Sequence, residues 1–93
     1  MSLRFEWDRV KADSNSQKHD VTFDEASTAF GDTLSLTIRD PLHSIGEERY
    51  VLLGQTFRGR LVVVVHAERV DGTIRIISAR EASRPERRVY EEQ

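Results

Sequence analysis

The sequence contains no cysteine, two prolines and five glycines among its 93 residues. Without cysteine the chain has no disulfide, no thiolate nucleophile and no cysteine-ligated zinc site. The longest apolar run, residues 61–65, is far shorter than the roughly 20 residues that span a membrane. A chain of this length buries enough apolar surface for one small core, which leaves no room for a separate cofactor domain. We therefore expect a single domain over residues 1–93, soluble and cytoplasmic, with no membrane contact.

Charge is distributed unevenly along the chain. Residues 1–48 contain five basic and ten acidic side chains, whereas residues 49–90 contain nine basic and four acidic ones. Of the 14 basic residues, all but Lys11 and Lys18 are arginines, whose planar guanidinium binds phosphate or carboxylate oxygens in pairs. The cationic C-terminal half favours an anionic partner, although it does not distinguish nucleic acid from an acidic protein.

Two helices are predicted after a short first strand. Residues 3–7 alternate apolar with charged side chains, which is typical of a half-buried strand. Asp8 is placed to cap a helix over residues 9–19. Thr22 and Glu25 have the capping-box spacing of a second helix over residues 23–30. Gly31 is expected to end this helix in the left-handed conformation.

The remainder predicts four strands and a last helix. Alternating or apolar runs cover residues 34–38, 50–53 with 56–57, 61–70 and 73–79. Residues 61–65 are apolar throughout, as in a central strand covered on both faces. Ser83 and Glu86 form the capping box of a C-terminal helix. The order is an N-terminal strand, two helices, a four-stranded antiparallel meander and a helix, which defines a small α+β domain with its first helices on one face of the sheet.

A predicted hairpin creates the first candidate site. Asp71 and Gly72 stand between two strands and predict a two-residue type I′ turn. In that register Glu68 opposes Arg75, and His66 lies on the same face. RNA self-cleavage needs one group to take the 2′-hydroxyl proton, one to protonate the leaving 5′-oxygen and a cation at the phosphate. An ordinary cross-strand ion pair beside a packed histidine gives the same pattern.

Other basic residues are also candidates for phosphate binding. Lys18 and His19 end the first helix, where they either complement the helix dipole or serve RNA cleavage. A run of arginines extends from the last strand into the last helix and fits either backbone phosphates or a salt-bridged, solvated helix: Arg75, Arg80, Arg84, Arg87 and Arg88. The loop of residues 39–48 carries His43 between carboxylates, but no second histidine is near and no metal site is predicted.

Short motifs are distributed over nearly the whole chain, at residues 5–8, 11, 15, 18–19, 21–26, 40, 43–44, 47–49, 59–65, 75–80 and 86–90. In their order and spacing they resemble the BrnT family of type II toxin–antitoxin ribonuclease toxins. Two positions depart from the family pattern. Asp20 stands where glycine is usual, and it can adopt the left-handed conformation at some cost. Thr33 stands where proline is common.

The resemblance implies a RelE-like α+β fold and a metal-independent ribonuclease, without a cofactor, that inhibits translation. It also implies neutralisation by a BrnA-type antitoxin with a ribbon-helix-helix DNA-binding part. Promoter DNA would then be contacted mainly through the antitoxin, and a toxin homodimer within the complex is compatible with this scheme.

The combined hypothesis is an endoribonuclease that cleaves RNA by 2′-hydroxyl attack. Lys18 and Arg80 hold the phosphate, His19 and Glu68 transfer protons, and Arg75 stabilises the transition state. Further contacts to RNA are assigned to Arg49, Arg60, Arg84 and Arg87. Arg75 and Arg80 are five residues apart, so strand alternation puts them on opposite faces unless the strand ends or twists before Arg80.

The alternative hypothesis is a binding module without catalysis. Its Arg-rich face would dock an acidic protein or DNA as part of a transcriptional repressor complex.

Overall fold

The computed structural model describes residues 3–40 and 46–93. Half of the loop predicted over residues 39–48, including Pro41 and His43, lies outside these residues. The strands are β1 (Phe5–Glu6), β2 (Leu36–Asp40), β3 (Arg49–Gln55), β4 (Leu61–Glu68) and β5 (Ile74–Glu81). The helices are α1 (Arg9–His19), α2 (Phe23–Thr28) and α3 (Arg84–Glu91). No helix in the described part of the chain is long and apolar enough to cross a membrane.

The strands form one sheet in the order β1-β5-β4-β3-β2. Strands β2 to β5 make the predicted antiparallel meander, and β4 is its central strand, with Leu61 to Val64 all buried. Strand β1 is much shorter than predicted and pairs in parallel with β5, Phe5 beside Ile74. The predicted α+β class is confirmed.

The main core lies on the face of the sheet that α2 covers. Phe23 and Ala26 of α2 are fully buried against Leu52, Val64 and Ile76 of the three central strands. Burial of an aliphatic or aromatic side chain of this size contributes about 1.5–3 kcal/mol, so this layer supplies much of the driving force for folding. We refer to the side of the sheet that α2 covers as the helical face.

The other face of the sheet carries three of the strand arginines, Arg49, Arg75 and Arg80. The registers place alternate residues of β3, β4 and β5 on this side. We call this side the arginine face; its central residues are Arg49, Val51, Leu53, Val63, Val65, Ala67, Arg75, Ser78 and Arg80. Helix α3 packs at one end of it, where Val89 and Glu86 line a small apolar cavity with residues of β2, β3 and β4.

The helix boundaries follow the capping residues. Helix α1 has its predicted bounds, because the Asp8 carboxylate accepts a hydrogen bond from the Lys11 amide at 3.1 Å. Helix α3 begins with the predicted capping box of Ser83 and Glu86. The predicted end of α2 was wrong: the helix stops at Thr28 and continues as one 3₁₀ turn, and Gly31 does not have a positive φ. The tighter turn closes the helix without a left-handed residue.

Candidate active site

Lys18 and His19 lie in a groove between α1 and β5. They occupy the last turn of α1, and the next residue, Asp20, has φ 57° and donates its backbone N–H to the Ser16 carbonyl at 2.9 Å. Asp20 therefore takes the left-handed position expected at the end of this helix. The groove has a volume of about 350 Å³. Its lining residues are Val10, Lys11, Ser14, Asn15, Lys18, His19, Ile77 and Ser78.

Asn15 fixes α1 to the edge of β5. Its side-chain amide donates to the Ala79 carbonyl at 2.8 Å and to the Val21 carbonyl at 3.1 Å, and its Oδ1 accepts from the Ala79 N–H at 3.1 Å. Beyond its two residues paired with β1, the outer edge of β5 is thus bonded by a side chain instead of a strand. Asn15 is buried, and it holds the helix that carries Lys18 and His19 against the strand that carries Ser78.

A β-bulge in β5 brings Arg75 and Arg80 to the same face. Val65 pairs with Ser78, but the next residue of β4, His66, pairs with Ile76, so Ile77 is an extra residue in β5. The bulge reverses the alternation: Arg75 lies beside Ala67 and Arg80 beside Val63, both on the arginine face. The bulge is therefore the irregularity that a single site containing both arginines requires, because plain alternation would put Arg75 and Arg80 on opposite faces. Ser78 is two residues from Arg80 on this face and lines the groove with His19.

The predicted pairing of Glu68 with Arg75 was wrong. The Arg69 N–H bonds to the Thr73 carbonyl at 2.8 Å, and Gly72 alone in this turn has a positive φ, so the hairpin has a three-residue loop. The register therefore shifts by one residue, and Glu68 opposes Ile74 on the helical face. Arg75 projects from the opposite face.

His66 is part of the core. It is 2% exposed and packs edge-on against Phe30 with ring centroids 4.8 Å apart, and stacks on Tyr50 at 5.8 Å. Burial lowers the pKa of His66 by disfavouring its charged form. His66 therefore fits the alternative interpretation of the hairpin pattern, in which the histidine is simply packed in the core.

Both catalytic arginine candidates have acidic partners. Arg75 Nη1 lies 3.2 Å from Glu47 Oε1. Arg80 makes a bidentate pair with Glu86, at 2.8 Å and 2.9 Å. The Arg80 guanidinium lowers the pKa of Glu86 to about 2. Because the Arg80 and Glu86 side chains are 45% and 33% exposed, a phosphate could approach this pair from solvent and exchange with the carboxylate.

Arg60 is committed to contacts within the protein. It donates to Glu25 at 2.9 Å and 2.6 Å, to Glu81 at 3.0 Å and to the Asp20 carbonyl at 2.9 Å. Arg60 thereby holds the pKa of the buried Glu25 carboxyl below its usual range. Four of the five guanidinium N–H groups have acceptors, which argues against the predicted RNA contact of Arg60.

The remaining candidates lie apart from the groove. Arg49 is half-buried on the arginine face, opposite Ala67. Arg84 and Arg87 are exposed on α3, and neither forms an ion pair with another residue in ranges 3–40 and 46–93. Glu68 is exposed and borders a different cavity with Asp71. In the same two ranges, no three His, Asp or Glu side chains form a group that could hold a metal ion.

Sequence reasoning assigned no role to Asn15, Glu47 or Glu86 as partners within the site. Asn15 was one of the motif residues, but an asparagine in a helix carries no signal of a hydrogen bond to a residue 64 positions away. The acidic partners follow from the sheet register and from the position of α3, neither of which local spacing gives.

Comparison with known proteins agrees with this architecture. The crystal structure of the Brucella abortus ribonuclease toxin BrnT superposes with a TM-score of 0.70, covering 89% of this chain and 100% of that chain at 18% sequence identity. No curated protein sequence gives a significant match. The family model described as "Ribonuclease toxin, BrnT, of type II toxin-antitoxin system" matches residues 7–86. The chain therefore belongs to the BrnT family of ribonuclease toxins of type II toxin–antitoxin systems.

Proposed function

We propose that the chain is a metal-independent endoribonuclease whose active site is the groove between α1 and β5, together with the adjoining arginine face. The observation that carries the proposal is the bulge in β5, which puts Arg75, Ser78 and Arg80 on one face, while Ser78 also lines the groove with Lys18 and His19. These residues offer an imidazole, an amine and two guanidinium groups. Family membership supports ribonuclease activity in general.

In the proposed reaction the RNA 2′-oxygen attacks the adjacent phosphorus, and the bond from phosphorus to the 5′-oxygen breaks. A base takes the 2′-hydroxyl proton, and an acid protonates the 5′-oxygen, which leaves a cyclic phosphate and a 5′-hydroxyl. His19 is suited to proton transfer because one imidazole nitrogen can accept a proton while the other donates one. Lys18 and Arg80 hold the phosphate, and Arg75 stabilises the charge that develops on it. Glu68 lies outside the groove, and its proton-transfer role stays a prediction.

The experiment is cleavage of defined RNA by the purified chain in EDTA. Cleavage should give cyclic phosphate ends and should stop when the 2′-hydroxyl at the cut position is replaced by hydrogen. His19→Ala and Arg80→Ala should each reduce the rate by about 10²-fold or more, with a loss of stability of no more than about 1 kcal/mol from the broken Arg80–Glu86 pair. Arg9→Ala, which removes an exposed charge at the other end of α1, should cleave at the wild-type rate.

The outcomes separate the enzyme from the binding module. Equal cleavage by wild type, His19→Ala and Arg80→Ala would remove both residues from the mechanism. No cleavage by the wild type, combined with salt-sensitive DNA binding, would replace the enzyme with a non-catalytic repressor component.

Membership of a type II toxin–antitoxin family implies an antitoxin partner. We propose a BrnA-type ribbon-helix-helix protein, through which the complex binds its own promoter. Translation arrest on expression of the chain alone, relieved by co-expression of the neighbouring open reading frame, tests this pairing. If the neighbouring protein neither binds the chain nor restores growth, it is not the antitoxin.

A further inference from the structure

Arg60 connects three separate segments of the chain. It stands directly before β4 and bonds to α2 through Glu25, to the end of α1 through the Asp20 carbonyl, and to the end of β5 through Glu81. Only the guanidinium has enough fixed, divergent N–H groups to satisfy carboxylates and a carbonyl in one plane. We call Arg60 with these three partners the Arg60 clamp.

The clamp contacts lie next to the proposed catalytic residues. Asp20 directly follows His19, and Glu81 directly follows Arg80. Arg60 donates a hydrogen bond to the carbonyl of Asp20. The φ of 57° at Asp20 is unfavourable for a residue with a side chain. A strained backbone conformation persists only where surrounding contacts hold it in place. The hydrogen bond from Arg60 is such a contact, and it fixes Asp20, the residue that ends α1 directly after His19.

The clamp is itself anchored. The Arg60 carbonyl accepts from the Thr56 N–H at 2.8 Å, and the Thr56 hydroxyl donates to Glu25 Oε2 at 2.8 Å. Glu25 is 4% exposed, so its carboxylate depends on Arg60 and Thr56 for its hydrogen bonds. Because Glu25 and Thr56 are buried, the Arg60 clamp attaches the end of α1 and the end of β5 to one fixed point.

We propose that Arg60 is a positioning residue for RNA cleavage, which sets the imidazole of His19 relative to the guanidinium of Arg80. The proposal rests on the proposed ribonuclease function. Arg60 does not touch the RNA in this scheme. It holds two chain segments whose catalytic groups must meet one phosphate, and a displacement of about 1 Å between such groups costs up to about 10²-fold in rate.

The test is Arg60→Lys in the full chain. Lysine keeps a charge beside Glu25 but cannot reach three partners at once. We expect kcat to fall by about 10- to 100-fold with KM changed less than about threefold. Arg58→Lys is the matched control, because Arg58 also approaches Glu25, at 3.7 Å, but is 63% exposed and bonds to neither Asp20 nor Glu81. This control should cleave like the wild type.

Two outcomes would overturn the proposal in different ways. A raised KM with unchanged kcat would make Arg60 an RNA contact. A lowered melting temperature with unchanged kinetics well below it would make Arg60 a purely structural residue.

Amide hydrogen exchange provides a readout that does not depend on activity. Arg60→Lys should accelerate exchange both at residues 18–20 and at residues 80–82, whereas Arg58→Lys should accelerate neither. Unchanged exchange at both segments refutes the clamp. A wild-type chain that does not cleave RNA refutes the ribonuclease assignment, whereas an active wild type with an equally active Arg60→Lys refutes the role of Arg60 alone.

Discussion

Replacement of Asn15 by leucine should both destabilise the protein and open the groove between α1 and β5. The substitution leaves the Ala79 N–H, the Ala79 carbonyl and the Val21 carbonyl without their side-chain partner. Each intramolecular hydrogen bond contributes about 1 kcal/mol net, so the three bonds give a loss of about 3 kcal/mol. Domains of this kind are stable by about 5–15 kcal/mol, so Asn15→Leu should still fold at low temperature with a clearly reduced margin.

Urea unfolding followed by circular dichroism measures this loss. The midpoint should shift while the slope of free energy against urea stays the same, because the surface exposed on unfolding hardly changes. Gln17→Leu is the control, since it makes the same kind of change at an exposed position of α1 and should stay within about 0.5 kcal/mol of wild type.

RNA cleavage by Asn15→Leu should also be strongly reduced, because α1 is no longer bonded to β5. A loss of stability below 1 kcal/mol, equal to that of Gln17→Leu, would show that Asn15 does not dock the helix. If Asn15→Leu loses about 3 kcal/mol of stability but cleaves RNA at the wild-type rate, the docking of α1 on β5 is not needed for catalysis.

Three further predictions concern single side chains. Asp20→Gly should raise the free energy of unfolding by about 0.5 kcal/mol, because glycine adopts positive φ without strain; a lower midpoint in urea contradicts this. Glu86→Gln should free Arg80 and tighten RNA binding severalfold at low salt, measured by fluorescence titration, at a cost of about 1 kcal/mol in stability; weaker binding refutes the exchange of carboxylate for phosphate. The hydrogen bond to Asp32 raises the pKa of Tyr90 from 10.0 to about 12, so its stabilising effect is present below pH 10 and is lost as the pH rises through about 12. Unfolding curves of Tyr90→Phe should lack this alkaline loss, and an identical pH profile would refute the assignment.

Most of the fold follows from local signals in the sequence. Asp8 and Ser83 cap their helices as predicted, and the apolar run in β4 correctly indicates the central strand. These elements are predictable because the capping bond spans three residues and the strand pattern depends only on burial. The parallel pairing of Phe5 with Ile74 joins distant parts of the chain, and no local pattern specifies it.

The candidate site was harder to predict because it depends on register. Asp71 and Gly72 fit a two-residue turn and also a three-residue loop in which glycine alone takes positive φ, and the chain forms the second. That difference of one residue moved Glu68 away from Arg75. Arg80 lies on the same side as Arg75 only because of the β-bulge, an irregularity that sequence alternation cannot reveal.

The extra residue in β5 has a consequence for comparing relatives. A chain lacking the counterpart of Ile77 would regain plain alternation, and its two arginines, now four positions apart, would still project to the same side. Homologues that differ in length by one at this point can therefore present the same cationic surface. A search pattern with a rigid interval between the arginines would miss them, whereas an alignment that permits a gap there would recover them.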